Sequence, residues 1–201
     1  MPCRPTPLRS PAPPDWISIM ARLWIFGTDV NTDLIVPGRH APYMNSNADL
    51  RRVPFIELRP EFAEQVAPGD VLAAGPNFGC GSSREYAALA LRLCDLGAIV
   101  APSFASIFFR NAVNLGIPLV EADLRQLPDG TEVTLDLDAG RLTAADEVLQ
   151  LPAQGPFVRD VCNAGGLVNY VRQHGHLPGE VVTTANAATT PETTPTTEAP
   201  A

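Results

Sequence analysis

No lysine occurs in the 201 residues; all 14 basic side chains are arginine, and with 22 acidic residues the formal net charge is −8. An acidic chain without a basic run lacks the electrostatic footprint of a binder of nucleic acid or an anionic membrane surface. Any acidic metabolite it holds must be gripped locally by a few arginines, whose planar fork makes paired hydrogen bonds to a carboxylate. Long apolar runs are missing too, and nothing approaches the roughly 20 residues of a membrane span. The four cysteines, Cys3, Cys80, Cys94 and Cys162, form no C-x-x-C pair and no zinc spacing with His40, His174 or His176. Neither a metal site built from this chain alone nor a disulfide framework is expected, and a reducing cytoplasm is the expected location. There is no internal repeat.

What is present is 45% hydrophobic against 18% charged residues, enough for one soluble domain with a substantial core. Both ends stand apart. MPCRPTPLRSPAPPDWISIM, residues 1 to 20, is proline-rich and has no apolar core of a secretory signal. It reads as a disordered lead, as sequence upstream of a true start at Met20, or as a transit peptide. Residues 177 to 201 end in Thr/Ala/Pro low complexity that buries too little apolar surface to offset its ordering entropy. The domain is therefore expected over residues 21 to 176.

Within it, ARLWIF reads as a strand followed by the polar loop GTDVNTD, and RPEFAEQV as a short helix. VLAAG, AIVAP and IPLVEA are short apolar runs bounded by breakers, the pattern of buried strands. Between them lie two helical patterns. The first runs from Ser83 to Cys94 with Gly97 as its stop. The second is SFASIFFRNAVNLG, with Ser103 as N-cap, Phe104, Ile107, Phe108 and Leu115 on one stripe, and Gly116 as its end. This succession implies an α/β sheet with parallel pairing and covering helices. TEVTLDLDAGRLT alternates around an Asp-Ala-Gly turn as a hairpin does, and GGLVNYVRQHG gives a last short helix.

The stretch that carries chemistry is GPNFGCGSSRE, residues 75 to 85, between a strand and a helix. One reading is structural: Ser82 or Ser83 caps the helix, Glu85 completes a capping arrangement and Arg84 points to solvent. The other is an anion site. Unpaired N–H groups and the positive end of the helix dipole converge there, glycines 79 and 81 permit close approach, and Arg84 adds a fixed charge. A serine alkoxide is stabilised in such a field and becomes a usable base or nucleophile. The lysine-containing phosphate loop and the G-x-S-x-G elbow do not fit, and a phosphatase cysteine would need different spacing from Cys80 to its arginine.

NFGCGSSRE with its apolar helix, SFASIFFRNAVNLGIPLV, and TDVNTDLIVPGR upstream resemble the 3-isopropylmalate dehydratase (isopropylmalate isomerase) small-subunit family, the swivelling domain of the aconitase superfamily. The resemblance covers nearly all of residues 21 to 176. It implies a single β/β/α swivelling domain and a hydro-lyase that interconverts 2-isopropylmalate and 3-isopropylmalate through isopropylmaleate in leucine biosynthesis. It places the catalytic base on Ser82 and contacts to a small dicarboxylate substrate on Ser83 and Arg84. It also implies that no cofactor is bound by this chain and that the 4Fe-4S cluster sits in a partner large subunit. Two features individualise the chain. Tyr86 stands where the family usually has histidine, and can hydrogen-bond but not carry positive charge. The loop after PGR, which faces the variable end of the substrate, reads HAPYMN. Arg39, His40 and Tyr43 are its candidate substrate contacts, and its mostly apolar character suits an isopropyl or methyl group. Dehydratases of 2-methylmalate, 2,3-dimethylmalate or homoaconitate, and a noncatalytic anion-binding module, are the alternatives.

Overall fold

The structure, a computed structural model, describes residues 20–145 and 147–180. The expectations for residues 1–19 and 181–201 lie outside the described residues. In chain order the elements are β1 (Met20–Ile25), α1 (Thr32–Ile35), a 3-10 turn (Gly38–Tyr43), α2 (Asn47–Arg51), α3 (Glu61–Gln65) and β2 (Val71–Ala73). They continue with α4 (Glu85–Arg92), β3 (Ala98–Ala101), α5 (Ser106–Asn114), β4 (Leu119–Glu121), β5 (Glu132–Asp136), β6 (Arg141–Ala144), β7 (Glu147–Gln150), α6 (Pro156–Asn163) and α7 (Leu167–His174). Among the described residues no helix is long and apolar enough to cross a membrane.

The strands follow the order β4-β3-β2-β1-β5-β6-β7. The first four are parallel, with Trp24 opposite Leu72, Leu72 opposite Ile99 and Ile99 opposite Leu119. The opening residues of β1 instead pair antiparallel with β5, so one strand joins two sheets. Burial on both faces explains why β2 and β3 read as unbroken apolar runs rather than alternating ones. Trp24, Leu72, Ile99 and Leu119 face the helices, whereas Leu23, Val71, Ala98 and Val120 pack with Val133, Leu135, Leu142 and Ala144 of the antiparallel hairpin. The result is three layers: helices, parallel sheet, antiparallel sheet. This is the expected β/β/α arrangement.

The helical layer is anchored by an aromatic cluster. Phe26 stacks on Phe55 at 4.1 Å between centroids, and Phe62 meets Trp24 and Phe55 edge-on at 5.0 and 5.1 Å. Beside it, α4 presses Ala87, Ala88, Ala90 and Leu91 inward, three of them small side chains that permit close approach of the neighbouring helices α2 and α5. Asp70 is the one buried carboxylate among the described residues, and its three donors are the backbone N–H groups of Arg22 and Ala67 and the Trp24 indole, at 2.8 to 3.0 Å. Asp70→Ala would strand a buried indole N–H. It should lower unfolding stability by about 3 kcal/mol in a denaturant titration. A loss under about 1 kcal/mol would mean that water substitutes for the carboxylate.

Several local expectations shift. Ser103 does not cap α5, which begins at Ser106; its hydroxyl instead accepts the Asn77 N–H at 2.8 Å. Ile107 is 45% exposed, so the buried face of α5 is Phe108, Ala112 and Val113. α4 stops at Arg92, five residues before Gly97, which lies against the Gly69 carbonyl. Gly116, at φ +77°, ends α5 as expected. Met20 opens β1, and the described chain continues past α7 to a turn in which the Glu180 carboxylate accepts the Leu177 N–H.

Candidate active site

The loops that leave β1, β2 and β3 meet at the carboxyl ends of the parallel strands, the edge where open α/β sheets hold ligands. The β2 loop, residues 74–84, is sewn into the other two by backbone. Phe78 donates to the Ser103 carbonyl and accepts from Ala105 N–H on one side, at 3.0 and 2.9 Å. On the other side Gly79 donates to Val30 at 2.7 Å, and Thr32 donates to Cys80 at 2.9 Å. Side chains add to the seam: the Asn77 amide donates to Asp29 at 2.8 Å, and the buried Thr32 hydroxyl donates to the Ser82 carbonyl at 3.1 Å.

These bonds hold the Ser82 and Ser83 backbones outside the helix. The first helical residue of α4 is Glu85, and its N-cap is Arg84, whose backbone is extended and whose side chain does not cap. The capping reading of Ser82, Ser83 and Glu85 is therefore corrected: no side chain caps α4. The Glu85 and Tyr86 N–H groups of its first turn are left open at the dipole's positive end, while Ala87 N–H donates to the Arg84 carbonyl at 3.1 Å. Both serines are exposed, and neither hydroxyl is hydrogen-bonded among the described residues.

Arg84 is not in free solvent either. Its guanidinium is ion-paired with Asp33, which projects from α1, and lies 5.9 Å from the centre of the Tyr86 ring. Tyr86, two residues along the chain, thus gives Arg84 an aromatic face. On its far side the guanidinium borders Gly38, where a Cβ would stand 3.5 Å from an Arg84 nitrogen. The 3-10 turn carrying Arg39, His40 and Tyr43 therefore starts against the Arg84 cation.

Beyond Gly38 the three candidates diverge. Arg39, 72% exposed, is ion-paired with Glu57, and His40 Nε2 lies 3.4 Å from the same carboxylate oxygen without hydrogen-bond geometry. Tyr43 is 74% exposed, and Met44 packs against the core. The turn accordingly shows a charged pair and a solvent-facing ring beside its apolar residues. Sequence reasoning missed Thr32 and Glu57. The available signal for the first was its place in the polar loop between Asn31 and Asp33; the second left no spacing signal at all.

The Aconitase C-terminal domain family model matches residues 34–123. The 3-isopropylmalate dehydratase small subunit 1 of Deinococcus radiodurans is 51% identical over 162 residues, spanning 80% of this chain and 92% of that protein. The chain belongs to the 3-isopropylmalate dehydratase small-subunit family. The homoaconitase small subunit of Thermus thermophilus is 47% identical over 80% of this chain and all of that protein. The crystal structure of 3-isopropylmalate dehydratase from Methanocaldococcus jannaschii superposes with a TM-score of 0.72 at 37% identity, covering 78% of this chain and 95% of that one.

Membership in this family raises the question of an iron–sulfur cluster, and the donors present do not fit one. Among the described residues no three His, Cys, Asp or Glu side chains gather as a metal site. Cys94 is buried in the turn just after α4, where its thiol donates to the Ala90 carbonyl at 3.5 Å and burial pushes its pKa up to about 11. Burial likewise pushes the Cys162 thiol on α6 up to about 12. Neither supplies a thiolate at neutral pH.

Proposed function

We propose that this chain is the small subunit of a hydro-lyase that interconverts 2-isopropylmalate and 3-isopropylmalate through isopropylmaleate, a reaction of leucine biosynthesis. What carries the reading is the pairing of two unbonded, exposed serine hydroxyls with Arg84 at an uncapped helix start. Ser82 acts as an alkoxide that takes a proton from C3 of 2-isopropylmalate as hydroxide departs from C2, leaving the double bond of isopropylmaleate. Water then adds with the opposite regiochemistry, hydroxyl to C3 and proton to C2. A proton beside a carboxylate is weakly acidic, and negative charge spreads onto that carboxylate as it leaves. Arg84 and the open Glu85 and Tyr86 N–H groups at the start of α4 stabilise that charge, with Ser83 as a further donor. Asp33 and Tyr86 orient Arg84, a positioning role.

The departing hydroxide needs a Lewis acid that the described residues of this chain do not offer. We assign it to an iron–sulfur cluster on a large-subunit partner, consistent with the small-subunit names of the relatives. Cytoplasmic residence fits the free thiols of Cys80, Cys94 and Cys162.

A second reading, hydration of a homoaconitate-type substrate, has the 47% identical homoaconitase small subunit behind it. Reconstitution with the large subunit under anaerobic conditions separates the two. Loss of ultraviolet absorbance from isopropylmaleate, at least tenfold faster in kcat/KM than from cis-homoaconitate, is the expected result. Preference for cis-homoaconitate, citraconate or dimethylmaleate would move the substrate assignment. A complex inactive on all of them would leave an anion-binding module.

A further inference from the structure

We propose that Glu57 is a specificity-determining residue: it occupies Arg39 as an internal counter-ion and so denies that cation to any substrate carboxylate beyond the two that the reaction needs. The inference rests on the dehydratase reading of the site and adds a residue to it. Three observations carry it. The 3-10 turn begins at Gly38 directly against the Arg84 guanidinium, so Arg39 is the first cation on the chain that leaves that site. Arg39 is nevertheless not free, because its Nε is paired with Glu57 Oε1, and His40 Nε2 approaches that same oxygen at 3.4 Å. One carboxylate thus faces both polar side chains at the start of the turn.

Third, the carboxylate is projected from a stiff platform. Phe55 is fully buried in the aromatic cluster, takes a left-handed φ of +58°, and donates its N–H to the Ile35 carbonyl of α1 at 2.9 Å. A bulky residue in that conformation is unfavourable and persists only where its surroundings over-determine it. Here the turn is closed by bonds from Ile56 to Val53 and from Leu58 and Arg59 to Phe55. Arg59 is itself pinned by two hydrogen bonds to Asp129, at 2.9 and 2.6 Å, and lies over the Trp24 ring. The backbone that carries Glu57 is therefore held on both sides, and its side chain is set toward Arg39. A ligand with a third carboxylate near Arg39 would have to displace Glu57 and tolerate its negative charge, whereas an apolar branch does neither.

Removing only the charge, Glu57→Gln, keeps the side-chain shape and tests this. An exposed ion pair is weak, so the unmasking is modest: the preference for a triacid over a branched diacid should rise about fivefold. The first readout is binding to the full-length chain. Tricarballylate and isopropylsuccinate are titrated against the wild type, Glu57→Gln, Arg39→Ala and the double variant, following the Arg39 side-chain N–H signal where Arg39 is present and backbone amides of residues 81–86 throughout. The ratio of the two affinities should rise in Glu57→Gln and return to the Arg39→Ala value in the double variant. The second readout is the kcat/KM ratio of cis-homoaconitate to isopropylmaleate in the reconstituted complex, with the same pattern. An unchanged ratio, an equal loss for both ligands, or a rise that survives Arg39→Ala would overturn the proposal. Should the complex turn over neither substrate, the dehydratase reading falls, while the binding ratio still decides the role of Glu57.

Discussion

Ser82→Ala in the assembled enzyme should lower kcat about 10³- to 10⁴-fold while leaving KM within a few-fold, because the hydroxyl is a reacting base and not a principal anchor. The fold predicts this separation. What Ser82 contributes to the architecture is its carbonyl, which accepts from the Thr32 hydroxyl at 3.1 Å and from Arg84 N–H at 2.8 Å. Its side chain is exposed and makes no hydrogen bond among the described residues, so alanine keeps every structural contact. Unfolding stability should stay within about 0.5 kcal/mol of the wild type. Activity and stability are thus expected to part company at this position, which a capping serine would not allow: loss of a cap costs about 1 kcal/mol and leaves chemistry indirectly affected. Residual kcat above about a tenth of wild type would remove Ser82 from the base role. Reduced activity accompanied by a fall in stability would return it to the architecture.

The same residues show what a sequence can and cannot make legible. VLA and AIVA of β2 and β3 were readable because burial on both faces leaves only apolar choices between breakers. The hairpin was readable because one face is solvated and the side chains alternate. Where local chemistry competes with distant partners, the reading slips. Ser103 has the right side chain for a cap, yet the Asn77 N–H of a loop 26 residues away claims it. Ser82 and Ser83 have the side chains of a helix cap, yet the Thr32 hydroxyl and the strand-like bridge between Asn31 and Cys80 hold their segment outside the helix. β7 was missed because half of its residues are polar and most are exposed at the sheet edge, the usual disguise of an edge strand. α6 had a signal that went unused, Pro156 in its first turn. The pairing of Asp33 with Arg84 across 51 residues was foreseeable as chemistry, since the polar β1 loop needed a cation to face. Glu57 on Arg39 was not, because ion pairs between turns follow from the packing of Phe55 and carry no pattern of their own.

Gly79→Ala should damage stability and activity together, the opposite signature to Ser82→Ala. Gly79 is buried with φ at +77°, and a Cβ built there would run into Cβ and Cγ of Phe108 on α5. Phe108 cannot swing away freely, since its ring meets Phe78 edge-on at 5.2 Å and is buried in the core. Left-handed backbone for a non-glycine residue costs about 1 kcal/mol and overpacking about 1 to 3 more, so a net loss near 3 kcal/mol is expected in a denaturant titration. The alternative is that α5 moves rather than the chain unfolding. In that case the Gly79 hydrogen bond to Val30, at 2.7 Å, would be strained, and the register of Ser82 against Thr32 would be lost with it. The two components separate in a double variant. Phe108→Leu opens space for the new methyl but does nothing for the φ angle. If steric conflict dominates, Gly79→Ala with Phe108→Leu should be less destabilised than the sum of the single changes by at least about 1 kcal/mol. Strict additivity would assign the whole effect to backbone conformation. Either outcome measures how far the serine-bearing loop owes its position to α5 and not to the helix it precedes.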